Sequence, residues 1–102
     1  MASREFHYAL YPEGSYYRRH LDVFQNDDRR RLSLICYLNE PDWTPADGGE
    51  LVLYTQGEKG EKAVWVDPLP GQLVLMESHI LEHEVKPTQR PRLSLTGWFK
   101  TH

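Results

Sequence analysis

Arg92-Leu-Ser-Leu-Thr-Gly-Trp-Phe99 decides how this chain folds. Arg92, Ser94, Thr96 and Trp98 alternate with Leu93, Leu95, Gly97 and Phe99, the two-residue period of a strand that turns one face to each side of a sheet. Short segments of strand-forming residues recur upstream of it, at Phe6–Tyr11, Tyr16–Phe24, Leu32–Leu38, Glu50–Tyr54, Ala63–Val66, Gln72–Met76 and Leu81–Lys86. Turn clusters separate them, among them Pro12-Glu-Gly-Ser15, Gln25-Asn-Asp-Asp28, Pro45-Ala-Asp-Gly-Gly49 and the Pro68, Pro70, Gly71 group. Eight short strands with no amphipathic helix of ordinary length predict an all-β sandwich or barrel.

Composition narrows the possibilities. A length of 102 residues predicts one domain, residues 1–102, and 39% apolar with 26% charged residues excludes compositional disorder. A net charge of -3 gives no electrostatic case for a nucleic-acid or anionic-membrane partner. No apolar run approaches the roughly 20 residues that span a bilayer. Met1-Ala-Ser-Arg-Glu-Phe-His7 lacks the apolar stretch of a secretory signal. The single cysteine, Cys36, reads as a buried small residue without an internal disulfide, which favours a reducing compartment and a cytoplasmic location. A chain this short buries only about 60–70% of its unfolded surface, so its fold is economical or shares a surface with something else.

His20-Leu-Asp22 holds the first chemistry. On a strand, residues i and i+2 share a face, so imidazole and carboxylate project together. His83, in the later strand-like segment, supplies a third ligand type. Two histidines and a carboxylate can occupy one octahedral face around a metal, the facial triad of non-haem Fe(II) oxygenases. Nine positions beyond His83 stands Arg92, whose burial among apolar strands is costly unless it meets a carboxylate. Its planar fork suits bidentate binding of one.

Taken together, Tyr11-Pro-Glu-Gly-Ser-Tyr-Tyr17-Arg-Arg-His20-Leu-Asp22, Tyr37-Leu-Asn39, Gly48-Gly-Glu-Leu51, Glu82-His83-Glu-Val85 and Arg92-Leu-Ser-Leu-Thr-Gly-Trp98 resemble the Fe(II)- and 2-oxoglutarate-dependent dioxygenases of the prolyl 4-hydroxylase type, in particular bacterial relatives of the hypoxia-inducible-factor prolyl hydroxylases. The matching stretches run in order through nearly the whole chain. The resemblance implies a double-stranded β-helix, or cupin-like jelly roll. It implies Fe(II) held by His20, Asp22 and His83, and 2-oxoglutarate held by Arg92 with help from Tyr37, Thr96 and Tyr11. Tyr17 and Trp98 match positions near the substrate entrance. It further implies O2 as the oxidant, ascorbate as reductant, and a protein substrate with a target proline.

The chain departs from the family in lacking most of the usual N-terminal helices that pack on the larger, major sheet. It reads either as a minimal natural version or as the catalytic part of a longer protein, and it predicts an exposed apolar face on the major sheet able to form a homodimer. Two readings stand against catalysis of this kind. One is a non-catalytic jelly-roll module for metal or ligand binding, or a truncated inactive core. The other is a zinc peptidase using His79-x-x-Glu82-His83, which needs a helix so that both histidines share a face. Asp27-Asp-Arg-Arg-Arg31 reads as a solvated hairpin loop, and His7 and His102 as incidental. Gly48 and Gly49 read as a tight backbone turn into the next strand.

Overall fold

Every expected segment contains a strand in the computed structural model, which describes residues 3–21, 31–77 and 81–100. In chain order these are β1 (Ser3–Tyr11), β2 (Tyr17–His20), β3 (Arg31–Tyr37), β4 (Leu51–Gly57), β5 (Gly60–Val66), β6 (Leu73–Met76), β7 (Glu82–Val85) and β8 (Arg92–Lys100). The second expected strand is shorter than Tyr16–Phe24 in what is described: β2 ends at His20, and the charged run up to residue 30 lies outside the described residues, while Arg31 begins β3. The loop before β4 folds into one 3-10 turn at Pro45–Asp47, capped where the Thr44 amide donates to the Asp47 carboxylate at 2.7 Å. Among the described residues no helix is long and apolar enough to cross a membrane.

The strands form two antiparallel sheets of four, ordered β1-β8-β3-β6 and β2-β7-β4-β5. Every connection passes from one sheet to the other except the β4–β5 hairpin. This is the expected jelly roll, and it has a direct consequence for the site. Residues far apart in sequence, from β2 and β7 on one side and β1 and β8 on the other, face each other across the sandwich.

The core between the sheets is small. Ile35, Tyr37, Val74 and Met76 of the first sheet meet Leu51 and Val85 of the second, with Tyr11, Leu53, Val66 and Leu81 packed around them. On β3 the period of two is complete: Ser33, Ile35 and Tyr37 are buried, while Leu32, Leu34 and Cys36 on the opposite face are half-buried. Cys36 is therefore not the fully buried residue its apolar neighbours suggest, because it turns away from the core. The outer face of the first sheet is apolar and open, with Tyr8 at 77% and Leu10 at 63% exposure on one edge strand and Leu73 and Leu75 on the other. The apolar face expected on the major sheet is thus present, although the two sheets have equal strand numbers among the described residues.

Candidate active site

A cavity of about 210 Å³ lies between the sheets. His7, Ala9 and Tyr11 of β1, Arg92, Ser94, Thr96 and Trp98 of β8, Ser33 and Ile35 of β3, and Met76 form one wall. Tyr17, His20, Leu51, His83 and Val85 form the other. Tyr11, Tyr17, His20, His83, Arg92, Thr96 and Trp98, scattered over most of the sequence, therefore line one space. Asp22 lies outside the described residues.

His20 and His83 are register partners on β2 and β7, and their rings sit 4.3 Å apart, centre to centre, tilted by 56°. Both are oriented by the same device. The His20 Nδ1 is 2.6 Å from the carbonyl oxygen of Arg18, and the His83 Nδ1 is 2.9 Å from that of Leu81. A carbonyl only accepts, so Nδ1 carries a proton in each ring, the tautomer whose neutral form has its lone pair on Nε2. That is the tautomer of a metal-binding histidine whose other nitrogen is fixed by a backbone oxygen. His83 is buried, and the Tyr17 ring stacks on His20 at 3.8 Å.

Tyr17 and His20 are three residues apart, yet both face the cavity. Simple alternation forbids this. The register explains it: Tyr17 pairs with Val85 and His20 with His83, so Arg18 and Arg19 together oppose the single residue Glu84. One extra residue in β2 makes a β-bulge, which turns His20 back onto the face that Tyr17 occupies. The same strand geometry removes the peptidase arrangement. Glu82 and His83 are neighbours on β7 and point to opposite faces, so they cannot serve one metal from one helix face; His79 lies outside the described residues.

Arg92 sits at one end of the first sheet's inner face, opposite Tyr11 in register and only 2% exposed. Its Nε donates to the Gly49 carbonyl at 2.7 Å and its Nη2 to the Tyr37 hydroxyl at 3.3 Å. The guanidinium carbon lies 5.1 Å and 5.0 Å from the centres of the Tyr11 and Tyr37 rings. No carboxylate among the described residues pairs with it. Burial pulls the Arg92 pKa down from its ordinary value, partly offset by the two tyrosines, but a guanidinium remains charged. Burial likewise pushes the Tyr37 phenol up, so it stays protonated with an O–H to donate. A dry cation beside the Tyr37 hydroxyl, on the cavity wall, has the chemistry to pair with an anion entering from the cavity.

Sequence reading missed several contributors. Gly49 does more than turn the chain: it brings its carbonyl onto Arg92. It has φ +72°, and a Cβ there would stand 3.0 Å from Arg92 Cδ, so a side chain would be strained and would press on the guanidinium stem. The loop is held there by the Gly49 amide donating to Pro87 and the Gln89 amide donating to Asp47, at 3.1 and 2.7 Å. Asn39 is buried and structural, donating to the Pro68 carbonyl at 2.7 Å and accepting from the Leu93 amide at 2.7 Å. His7, set aside as incidental, stands on the cavity wall opposite Thr96 in register, with its ring 5.6 Å from that of Trp98. Its two-residue spacing from Ala9 and Tyr11 was the available signal. The Trp98 indole N–H is buried without a hydrogen-bond partner among the described residues, in the cavity wall.

The sequence pattern of the 2OG-Fe(II) oxygenase superfamily matches residues 6–100. A prolyl 3,4-dihydroxylase of Ostreococcus tauri is 31% identical over 103 residues, covering 90% of this chain and 20% of that protein. A prolyl 4-hydroxylase crystal structure from Pseudomonas putida superposes with a TM-score of 0.84 at 49% identity, over 97% of this chain and 53% of that one. A Trichoplax adhaerens prolyl hydroxylase in complex with a hypoxia-inducible-factor oxygen-degradation-domain peptide superposes with a TM-score of 0.82 at 36% identity, over 96% and 44%. The chain thus spans between a fifth and about half of the length of these relatives.

Proposed function

Because the chain belongs to the 2OG-Fe(II) oxygenase superfamily, we propose that it is the catalytic core of a 2-oxoglutarate-dependent dioxygenase acting on a prolyl residue of a protein, at C4. One observation carries this reading: two imidazoles with Nδ1 fixed by backbone carbonyls share a cavity with a buried guanidinium that has no carboxylate partner among the described residues. The donor set suits the groups concerned. His20 and His83 offer Nε2 lone pairs to Fe(II), with Asp22 as the third ligand, and Arg92 offers its fork to the distal carboxylate of 2-oxoglutarate. Iron, 2-oxoglutarate and O2 bound together supply the oxidation of a C–H bond, with succinate and CO2 as coproducts.

The chain's residues do the positioning. Arg92 would neutralise the distal carboxylate in a dry site, with the hydroxyls of Tyr37 and Thr96 to assist, and Tyr11, whose ring lies beside Arg92, would contact the cosubstrate with its hydroxyl. Tyr17, half exposed and stacked on His20, and Trp98, whose N–H has no partner among the described residues, border the space left for the target residue. The relative crystallised with a peptide supports a protein substrate rather than a nucleic acid. Ascorbate would serve as reductant, and the lone Cys36 supports the reducing cytoplasm as the place of work.

Adding Fe(II) and then 2-oxoglutarate without oxygen is expected to produce a visible iron-to-2-oxoglutarate charge-transfer band. Absence of the band in a folded sample, checked by circular dichroism, would instead favour a non-catalytic or incomplete core. We also propose that the open apolar face bearing Tyr8, Leu10, Leu73 and Leu75 pairs with a second copy of the chain. Sedimentation velocity should then report a dimer, and a strictly monomeric, stable species would contradict it.

A further inference from the structure

We propose that Arg19 is a positioning residue for the metal site: from the outer face of the second sheet it locks β2 against its neighbours and so fixes His20 opposite His83. The inference rests on the metal-site reading above. β2 is a four-residue edge strand interrupted by a bulge, so its backbone ladder alone pins its register poorly. Yet it carries one histidine of a pair whose ring separation decides whether a metal can bridge them.

Arg19 sits within that bulge, next to His20 and pointing the opposite way. Its Nη2 donates to Glu82 on β7 at 2.8 Å, and Glu82 is the immediate neighbour of His83. Its Nη1 donates to Glu61 on β5 at 3.1 Å, and Nη2 also donates to the other Glu61 oxygen. Between these, the guanidinium lies 3.7 Å above the centre of the Tyr54 ring on β4. One side chain from the edge strand therefore spans β7, β4 and β5. Tyr54 continues the net by donating to Glu84, the residue opposite the bulge, and Glu84 pairs with Lys86 at 3.1 Å. An isolated exposed ion pair contributes little to stability, but a bidentate network that crosses four strands restricts one relative movement, the slip of β2 along β7.

The test is Mn(II) binding, followed by electron paramagnetic resonance, in the wild type, in Arg19→Ala, and in the charge-swapped pair Arg19→Glu with Glu82→Arg. Arg19→Ala should weaken Mn(II) binding about tenfold, the low end of the cost of losing a group that orients a metal ligand. The thermal midpoint of the metal-free protein should change little, and the swapped pair should recover most of the affinity by restoring the bond between β2 and β7. Unchanged affinity in Arg19→Ala overturns the proposal, as does a loss that follows the thermal midpoint and is not recovered by the swap. A wild-type protein that takes up no Mn(II) overturns the metal-site reading itself, a result distinguishable from failure of the Arg19 lock alone.

Discussion

Arg92→Met is expected to abolish measurable 2-oxoglutarate binding while leaving metal binding and the fold intact. Among the described residues the buried guanidinium hydrogen-bonds only to a carbonyl and a phenol, so on the proposed reading its charge would be matched by the incoming carboxylate. Truncating one partner of such a desolvated, hydrogen-bonded charge pair costs about 2–5 kcal/mol, at least about thirtyfold in Kd. The metal-free protein should lose little, because two effects oppose. Removing a buried cation is often neutral or stabilising, whereas Gly49 O and Tyr37 Oη each lose a donor, at about 1–3 kcal/mol for a group left unsatisfied. Methionine fills much of the volume, which limits the cavity cost. Titrating 2-oxoglutarate into the iron-loaded, oxygen-free protein reads the first effect, and Mn(II) affinity with circular dichroism reads the second. Equal loss of metal and 2-oxoglutarate binding would make Arg92 a structural residue and remove the cosubstrate from this end of the cavity.

His83→Ala should eliminate metal binding, by more than the 10–100-fold that loss of a supporting contact costs. His83 is the buried member of the histidine pair, and both its register and its Nδ1 bond to Leu81 fix where its Nε2 lone pair lies. Nothing from the neighbouring residues of β7 can replace it, since Glu82 and Glu84 point to the outer face. His79→Ala is expected to leave Mn(II) affinity unchanged. If the two variants behave alike, His83 is not a metal ligand.

The strand segments were legible because a sandwich buries one face of each strand and leaves the other outside, a period of two that β3, β6 and β7 show. β8 is the clearest case: Arg92, Ser94, Thr96 and Trp98 all line the cavity, as alternation requires. His7 was legible by the same rule, two and four residues before Ala9 and Tyr11, but a lone histidine near a chain end carries no chemical signal until its wall is known. Gly49 reads as a turn in sequence, and its carbonyl became a partner of Arg92 only through the contacts that the loop makes with Pro87 and Gln89.

Local chemistry and periodicity thus identify the fold class, the face of β8 that lines the cavity and the two histidines, while Tyr11 and Tyr17 came from the family resemblance; strand period and side-chain chemistry reside in neighbouring residues. The placement of Tyr17 beside His20 across a bulge, the alignment of β2 by Arg19, and the dry setting of Arg92 without a carboxylate among the described residues came from packing. Each depends on where a second or third strand lies, and a linear pattern contains no information on which distant residue will stand opposite which.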